Sequence, residues 1–164
     1  MGKIQHCLNV LTLTARSSRC KKSWHIDPKA IFDFNDSIRK VEVKTTLRNE
    51  RIHSFSNNQV IKSHEHKTIV YSIITSQVHN GCSVLDLLLK IEGKINHTDK
   101  LELHRKVISV AGDQLESYSS KFDLNSALSQ VKLFDSKDVN FIDLNCISDN
   151  IEKVKFDVNF ENIS

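Results

Sequence analysis

The run TIVYSIITSQVHNGCSVLDLLLKIEG, from Thr68 to Gly93, decides how this chain can fold. Its first part is rich in β-branched residues and predicts a central β-strand over residues 67–78. Asn80-Gly81 predicts a turn. Ser83 and Asp86 have the spacing of a capping box that starts a helix, and Gly93 suits the helix end. The apolar residues in between recur at helical spacing: Val84, Leu87, Leu88 and Ile91.

A second informative stretch precedes this unit. Between Ile38 and Leu47 apolar and polar residues alternate, which is typical of a half-buried antiparallel strand whose second face meets solvent. The alternation sets Val41, Val43, Thr45 and Leu47 on one face and Lys40, Glu42, Lys44 and Thr46 on the other.

The remaining patterns are mostly strand-like. We predict a first strand in Ile4–Ala15, apolar residues at an edge or bend around Pro28, a helix over Leu124–Phe134 capped by Asp123, and a C-terminal hairpin of Val139–Ile147 with Val154–Phe160. Leu101–Val110 fits either a helix or a strand, and a strand is favoured from His104 to Val110. The fold class expected is α+β, a mostly antiparallel sheet of about six or more strands with two short helices packed on it. Residues 1–23 are predicted to be a basic N-terminal arm or first strand, and 24–164 a single α+β domain.

Composition excludes several kinds of site. The chain has 164 residues, and its four glycines are isolated from one another. A phosphate-binding loop, a dinucleotide-binding turn and a nucleophile elbow each need several glycines close together. Enzymes built on other scaffolds are less affected by this argument.

The remaining candidate groups for catalysis or metal binding have ordinary explanations. His64 and His66 could chelate a metal with His53 or His79, but a polar loop before a strand accounts for them as well. Cys82 lies at a helix start that would lower its thiol pKa, yet cysteines there are usually structural. The pairs Asp33 with Asp36 and Asp143 with Asp157 are more often solvated than catalytic. We therefore expect a non-enzymatic protein with no catalytic residue, metal site, cofactor or small-molecule substrate.

The strongest functional signal is a basic N-terminal stretch without an acid before Asp27. Its members are Lys3, Arg16, Arg19, Lys21 and Lys22, followed by Trp24. Clustered cations favour an anionic partner, either the phosphates of RNA or an acidic lipid surface. Trp24 could stack on a base or lie at a membrane interface.

The order of elements in TIVYSIITSQVHNG, CSVLDLLLKIEGKI and LELHRKVISVAGDQLES resembles the middle of rhabdovirus matrix proteins, in particular the short ones of plant-infecting members. The resemblance implies a structural protein that self-associates and links the viral nucleocapsid and its RNA to an anionic membrane. It places the chain in the virion and host cytoplasm, with the basic residues as its contact region. Three alternatives stay open: a viral accessory protein that binds a host protein, an RNA-binding protein without membrane function, and a small thiol- or metal-dependent enzyme.

Overall fold

The computed structural model of the chain describes residues 31–35, 40–60, 67–112, 119–139, 148, 150–151 and 153–163. The strands are β1 (Phe34–Asn35), β2 (Lys40–Thr46), β3 (Ile52–Ser56), β4 (Thr68–Ile74), β5 (Gln77–Cys82), β6 (Lys132–Asp135) and β7 (Lys155–Asn159). The helices are α1 (Val84–Glu92), α2 (His97–Ala111) and α3 (Leu124–Ser129); residues 57–60 are also helical, and Ser136–Asp138 and Phe160–Asn162 form 3-10 turns. The predicted α+β class is confirmed.

Two sheets organise the described residues. The larger has the order β1-β2-β4-β6, in which β2 and β4 run parallel while the outer pairs are antiparallel. The smaller pairs β3 with β7 antiparallel. The sheet arrangement is therefore mostly antiparallel, as expected, but its central pair is parallel.

The larger sheet is buried on both faces. One face contributes Phe34, Val43 and Ile73 to a core with α1, α2 and α3. The other contributes Val70 to a second core with Phe55 and Phe160, next to the smaller sheet. Parallel strands are normally covered on both sides, because their crossover connections pack over the sheet. Consequently the polar face of β2 does not point into open solvent.

Helix α1 follows its predicted pattern. Asp86 N–H donates to Ser83 Oγ at 3.1 Å, and Ser83 N–H donates back to the Asp86 carboxylate at 2.9 Å, which completes the capping box. The four apolar residues of the predicted stripe are all buried: Val84, Leu87, Leu88 and Ile91. Within the described residues, no helix is long and apolar enough to cross a bilayer.

Other boundaries differ from prediction. The strand expected from His104 is part of α2, which Asn96 caps and which buries Leu103 and Val107 one helical turn apart. The helix expected up to Phe134 ends at Ser129, because Phe134 pairs with Val70 in the sheet.

Two predicted connections also change. Asn80-Gly81 lies inside β5 rather than in a turn. The second arm of the expected hairpin is β7, whose partner is β3, and most of the first arm lies outside the described residues, as do the first strand and Pro28.

Candidate active site

Three ionisable side chains gather where β1 meets β2. Glu42 and Lys44 are two residues apart on β2 and therefore share a face of the sheet. Asp33 directly precedes β1, and one step beyond the Phe34–Val41 pair it comes opposite Glu42. The strand pairing thus brings two carboxylates and an amine together.

Asp33 is a buried carboxylate, only 6% exposed. Its Oδ2 accepts a hydrogen bond from Val43 N–H at 2.8 Å. Burial raises the pKa of Asp33 to about 6, although the Val43 hydrogen bond and the positive charge of Lys44 act in the opposite direction. Its structural surroundings therefore favour either a proton or a neighbouring cation on this carboxylate. The sequence-based interpretation of Asp33 as a solvated surface acid is wrong, because strand pairing buries it.

Glu42, Lys44 and Gln59 form a connected triangle. Lys44 Nζ lies 2.9 Å from Glu42 Oε1 and 3.4 Å from Gln59 Oε1. Gln59 Nε2 donates to Glu42 Oε1 at 2.7 Å. Gln59 Oε1 also accepts from Ser56 N–H at 3.1 Å, which ties the amide to the end of β3. The Gln59 amide orients both the carboxylate and the ammonium, since its donor faces one and its acceptor faces the other.

Phe55 limits where the Lys44 ammonium can go. Lys44 Nζ lies 4.7 Å from the centre of the Phe55 ring, within the range of a cation–π interaction. The Phe55 ring is itself buried, at 2% exposure. The lysine therefore has a fixed position beside Glu42 rather than the mobility of a surface lysine.

An open pocket of about 410 Å³ leads to this group of residues. It is lined by Ile31, Lys44, Ser54, Phe55, Ser56, Asn58, Gln59 and Lys155. Among the described residues, the lining contains two lysines and no acid. The pocket can therefore attract an anion toward the neighbouring carboxylates.

A buried polar cluster lies behind the site on the same face of β4. Ser72 is the register partner of Lys44, and its Oγ lies 2.7 Å from His53 Nε2 and 3.1 Å from Arg51 Nη1. Burial, together with the charges of Lys44 and Arg51, lowers the pKa of His53 to about 4. His53 is therefore neutral at neutral pH and is committed to Ser72.

The donor atoms at the site suit a hard divalent cation. Among the described residues no three side chains of His, Cys, Asp or Glu converge on one point, so the protein offers two carboxylates, Asp33 and Glu42. Mg²⁺ is commonly held by one or two carboxylates, with water and substrate phosphate oxygens completing its coordination. Asp33 and Glu42 match this donor set, and the buried carboxylate of Asp33 would gain from a nearby positive charge.

The residues singled out from sequence lie elsewhere. The basic set of Lys3, Arg16, Arg19, Lys21, Lys22 and Trp24 falls outside the described residues, as do His64, His66, Asp36 and Asp143. Cys82 is buried, which raises the pKa of its thiol even though Lys90 lies close by, so the expected lowering is wrong. Asp157 interacts with Ser54 and lies 3.6 Å from Arg48.

The fold and site together define a class of protein: an α+β domain with an acid directly before one strand and a Glu-x-Lys pair on the adjacent strand. Residues 6–161 match the family model described as "Putative PD-(D/E)XK family member, (DUF4420)", and the chain belongs to this family. The Glu42-Val43-Lys44 tripeptide reads as the (D/E)XK of that description, and Asp33 supplies the preceding acid, with Phe32 where the description has proline. No curated protein and no solved structure matches the chain.

The family overturns several predictions made from sequence. The resemblance to rhabdovirus matrix proteins is wrong, and so is the structural role linking nucleocapsid to membrane, because the matched family is nuclease-like. The expectation of a non-enzymatic protein is wrong for the same reason. The resemblance depended on a strand after α1, and the structure has helix α2 there instead. The anionic partners, the self-association and the location in virion and host cytoplasm stay predictions.

The sequence did contain one usable signal for the site. Glu42 and Lys44 stand two apart within a regular alternation, shortly after Asp33. The alternation by itself indicates a solvent-facing side of an amphipathic strand, where a Glu and a Lys need no catalytic role. Gln59 and Lys155 carried no signal, because only tertiary structure brings them to the site.

Proposed function

We propose that this protein is a metal-dependent nuclease that hydrolyses phosphodiester bonds with Asp33, Glu42 and Lys44. The observation that carries the proposal is the meeting of a buried acid with the Glu42–Lys44 pair, whose lysine lines a pocket together with Lys155. Membership in a family described by the same residue pattern supports it.

Each side chain has a role that follows from its position. Asp33 and Glu42 would hold the divalent cation through their carboxylate oxygens. Such a cation, when bound, supplies Lewis-acid polarisation of the phosphoryl group and a hydroxide-like nucleophile at neutral pH. Lys44 is placed to stabilise the negative charge that grows on the phosphate oxygens in the transition state. Gln59 holds Glu42 and Lys44 in register, so it is a positioning residue.

The test is cleavage of labelled single-stranded and duplex oligonucleotides, as DNA and as RNA, with Mg²⁺ or Mn²⁺ and with a chelator. We expect cleavage that requires the metal. Glu42→Gln and Lys44→Met should each lower kcat by about 100-fold or more, the usual consequence of removing a group that stabilises the transition state.

Matched controls change the same residue types away from the pocket. Glu50 and Lys67 are exposed and do not line the pocket, so Glu50→Gln and Lys67→Met should cleave like the parent protein. Circular dichroism would establish that each variant is folded. The proposal fails if the parent protein cleaves none of the substrates, or if folded Glu42→Gln and Lys44→Met retain parental rates.

A further inference from the structure

The mouth of the pocket is completed by a residue from the C-terminal strand. In the β3–β7 ladder Lys155 is the register partner of Ser56, and both line the pocket with Gln59 and Lys44. Resting on the proposed nuclease function, we propose that Lys155 binds a phosphate next to the scissile one and that the pocket accepts an unpaired strand rather than a duplex.

The charge of Lys155 is available to a ligand. Two other cations near the small sheet are matched with acids: Arg48 lies 3.6 Å from Asp157, and Lys132 lies 3.6 Å from Glu161. Lys155 is exposed, and among the described residues it forms no ion pair. Since the described part of the lining contains no acid, Lys155 and Lys44 together present two positive charges to whatever enters.

Uncharged donors line the pocket together with the two lysines. Ser56 and Asn58 line the same pocket and carry a hydroxyl and an amide that can donate to phosphate oxygens. Because such donors contact phosphate and sugar more often than bases, and two lysines attract phosphates here, the expected contacts follow the backbone of the strand. The subsite should accordingly show little preference for sequence.

The depth of the carboxylates determines which kind of strand can reach them. Asp33 and Glu42 are 6% and 5% exposed, and the pocket reaches their neighbours Lys44 and Gln59, so a phosphate would approach the carboxylates through this pocket. The volume of about 410 Å³ lies near the lower end of the ~300–1,000 Å³ typical of small-molecule pockets. A duplex is stiff over roughly 150 base pairs, so local bending into such a pocket costs energy, whereas a single strand can turn into it.

The first experiment measures binding by fluorescence anisotropy in calcium, with a gel to check that the oligonucleotides remain intact. The probes are one single strand as DNA, the same sequence as RNA, and the blunt DNA duplex. We expect either single strand to bind at least tenfold more tightly than the duplex, and the tighter of the two identifies the sugar that is preferred. Equal or tighter binding of the duplex overturns the selection of an unpaired strand.

The second experiment isolates Lys155. Lys155→Gln should weaken single-strand binding severalfold and reduce the slope of log K against log salt by about 0.7, the value for one phosphate contact on a single strand. Lys153→Gln is the matched control, because Lys153 is also exposed and lies two residues away but does not line the pocket. Identical slopes for the two variants overturn the phosphate contact.

Steady-state cleavage in Mg²⁺ separates this inference from the proposed function. Lys155→Gln should raise KM with kcat unchanged, since the lysine binds substrate in the ground state and transition state alike. Binding that depends on Lys155 in a protein that never cleaves would leave the subsite standing and reject the nuclease. Cleavage with parental KM in Lys155→Gln would leave the nuclease standing and reject the subsite.

Discussion

Asp33 and His53 are two buried ionisable residues whose pKa values are displaced in opposite senses. Burial raises the pKa of Asp33 to about 6 and lowers the pKa of His53 to about 4. Between pH 4 and 6 the folded chain therefore binds more protons at Asp33, and fewer at His53, than the unfolded chain does. As pH rises, the contribution of Asp33 to stability falls and that of His53 increases. The two contributions largely cancel in the parent protein.

The first prediction is that Asp33→Asn removes the contribution of Asp33 to the pH dependence of stability and leaves that of His53. Asparagine can still accept the Val43 hydrogen bond but carries no charge to bury. In a chelator, the free energy of unfolding of this variant, minus that of the parent, should increase as pH rises from 4 to 6, by about 1.4 kcal/mol per pH unit at most. Urea unfolding at several pH values measures it.

The complementary variant provides the control. His53→Gln removes a group that resists protonation, so its stability relative to the parent should fall over the same pH range. If the stability differences of both variants changed in the same direction with pH, the opposite pKa shifts assigned to Asp33 and His53 would be contradicted.

At the scale of elements, β5 requires a glycine at Gly81 because of a close contact between two backbones in the tertiary structure. A Cβ on Gly81 would lie 2.6 Å from Phe122 O and 2.7 Å from Phe122 N, within the bridge that joins Cys82 to Phe122. Backbone atoms cannot move aside as a flexible side chain can. The glycine that was expected to serve a turn instead permits close approach of two backbones.

The second prediction is therefore that Gly81→Ala destabilises the fold by about 1–3 kcal/mol, the usual cost of overpacking. Gly93→Ala is a sharp control. Gly93 has φ of −59° and a helical conformation, and its added Cβ would meet nothing closer than 3.7 Å. This second variant should be neutral or stabilising by up to about 1 kcal/mol. Thermal unfolding of both variants measures the change in stability. An equal loss of stability in the two would refute the explanation by backbone contact.

At the scale of the whole molecule, Arg51 connects the two sheets. Its Nη1 donates to Ser72 O at 2.9 Å on β4, and its Nη2 donates to Gln130 O at 2.6 Å just before β6. Arg51 itself precedes β3 and is 2% exposed. Burial lowers the pKa of this guanidinium, while Glu161, with an oxygen 3.4 Å from Nε, opposes the shift.

The third prediction is that Arg51→Met lowers the free energy of unfolding by about 2–5 kcal/mol. The substitution removes the hydrogen bonds that the charged guanidinium donates to Ser72 O and Gln130 O, and a hydrogen bond to a charged group contributes about 1.5–3 kcal/mol. Because Arg51 links β4 to the small sheet, which carries Phe55 and Ser56 of the site, we also expect reduced cleavage. Denaturant unfolding and the nuclease assay are the measurements.

Arg48→Met tests whether removing any arginine near the small sheet lowers the free energy of unfolding as much as Arg51→Met does. The Arg48 side chain is 63% exposed, and its pair with Asp157 is a surface contact. Surface ion pairs contribute about 0–1 kcal/mol, so this variant should lose little stability. A loss equal to that of Arg51→Met would reject the linking role.

Much of the local structure could be predicted from residues near one another in the chain. Helix α1 follows from the Ser83–Asp86 capping box and an apolar stripe at helical spacing, both of which act within a few residues. The strand β2 and the shared face of Glu42 and Lys44 follow from a period of two. The prediction of a strand from His104 was wrong. The segment is only weakly amphipathic, and the Asn96 cap together with the burial of Leu103 and Val107 favours a helix.

By itself the sequence determined the α+β class, helix α1, strand β2 and the pairing of a Glu with a Lys on one side of that strand. Only the tertiary structure decided that this side is covered, that Asp33 and Gln59 join it, and that Lys155 reaches the same pocket from the far end of the chain. The physical reason is the range of the interactions involved. Capping and periodicity act between near neighbours, whereas burial and charge coupling depend on which strands pair, and that pairing minimises the free energy of the whole chain.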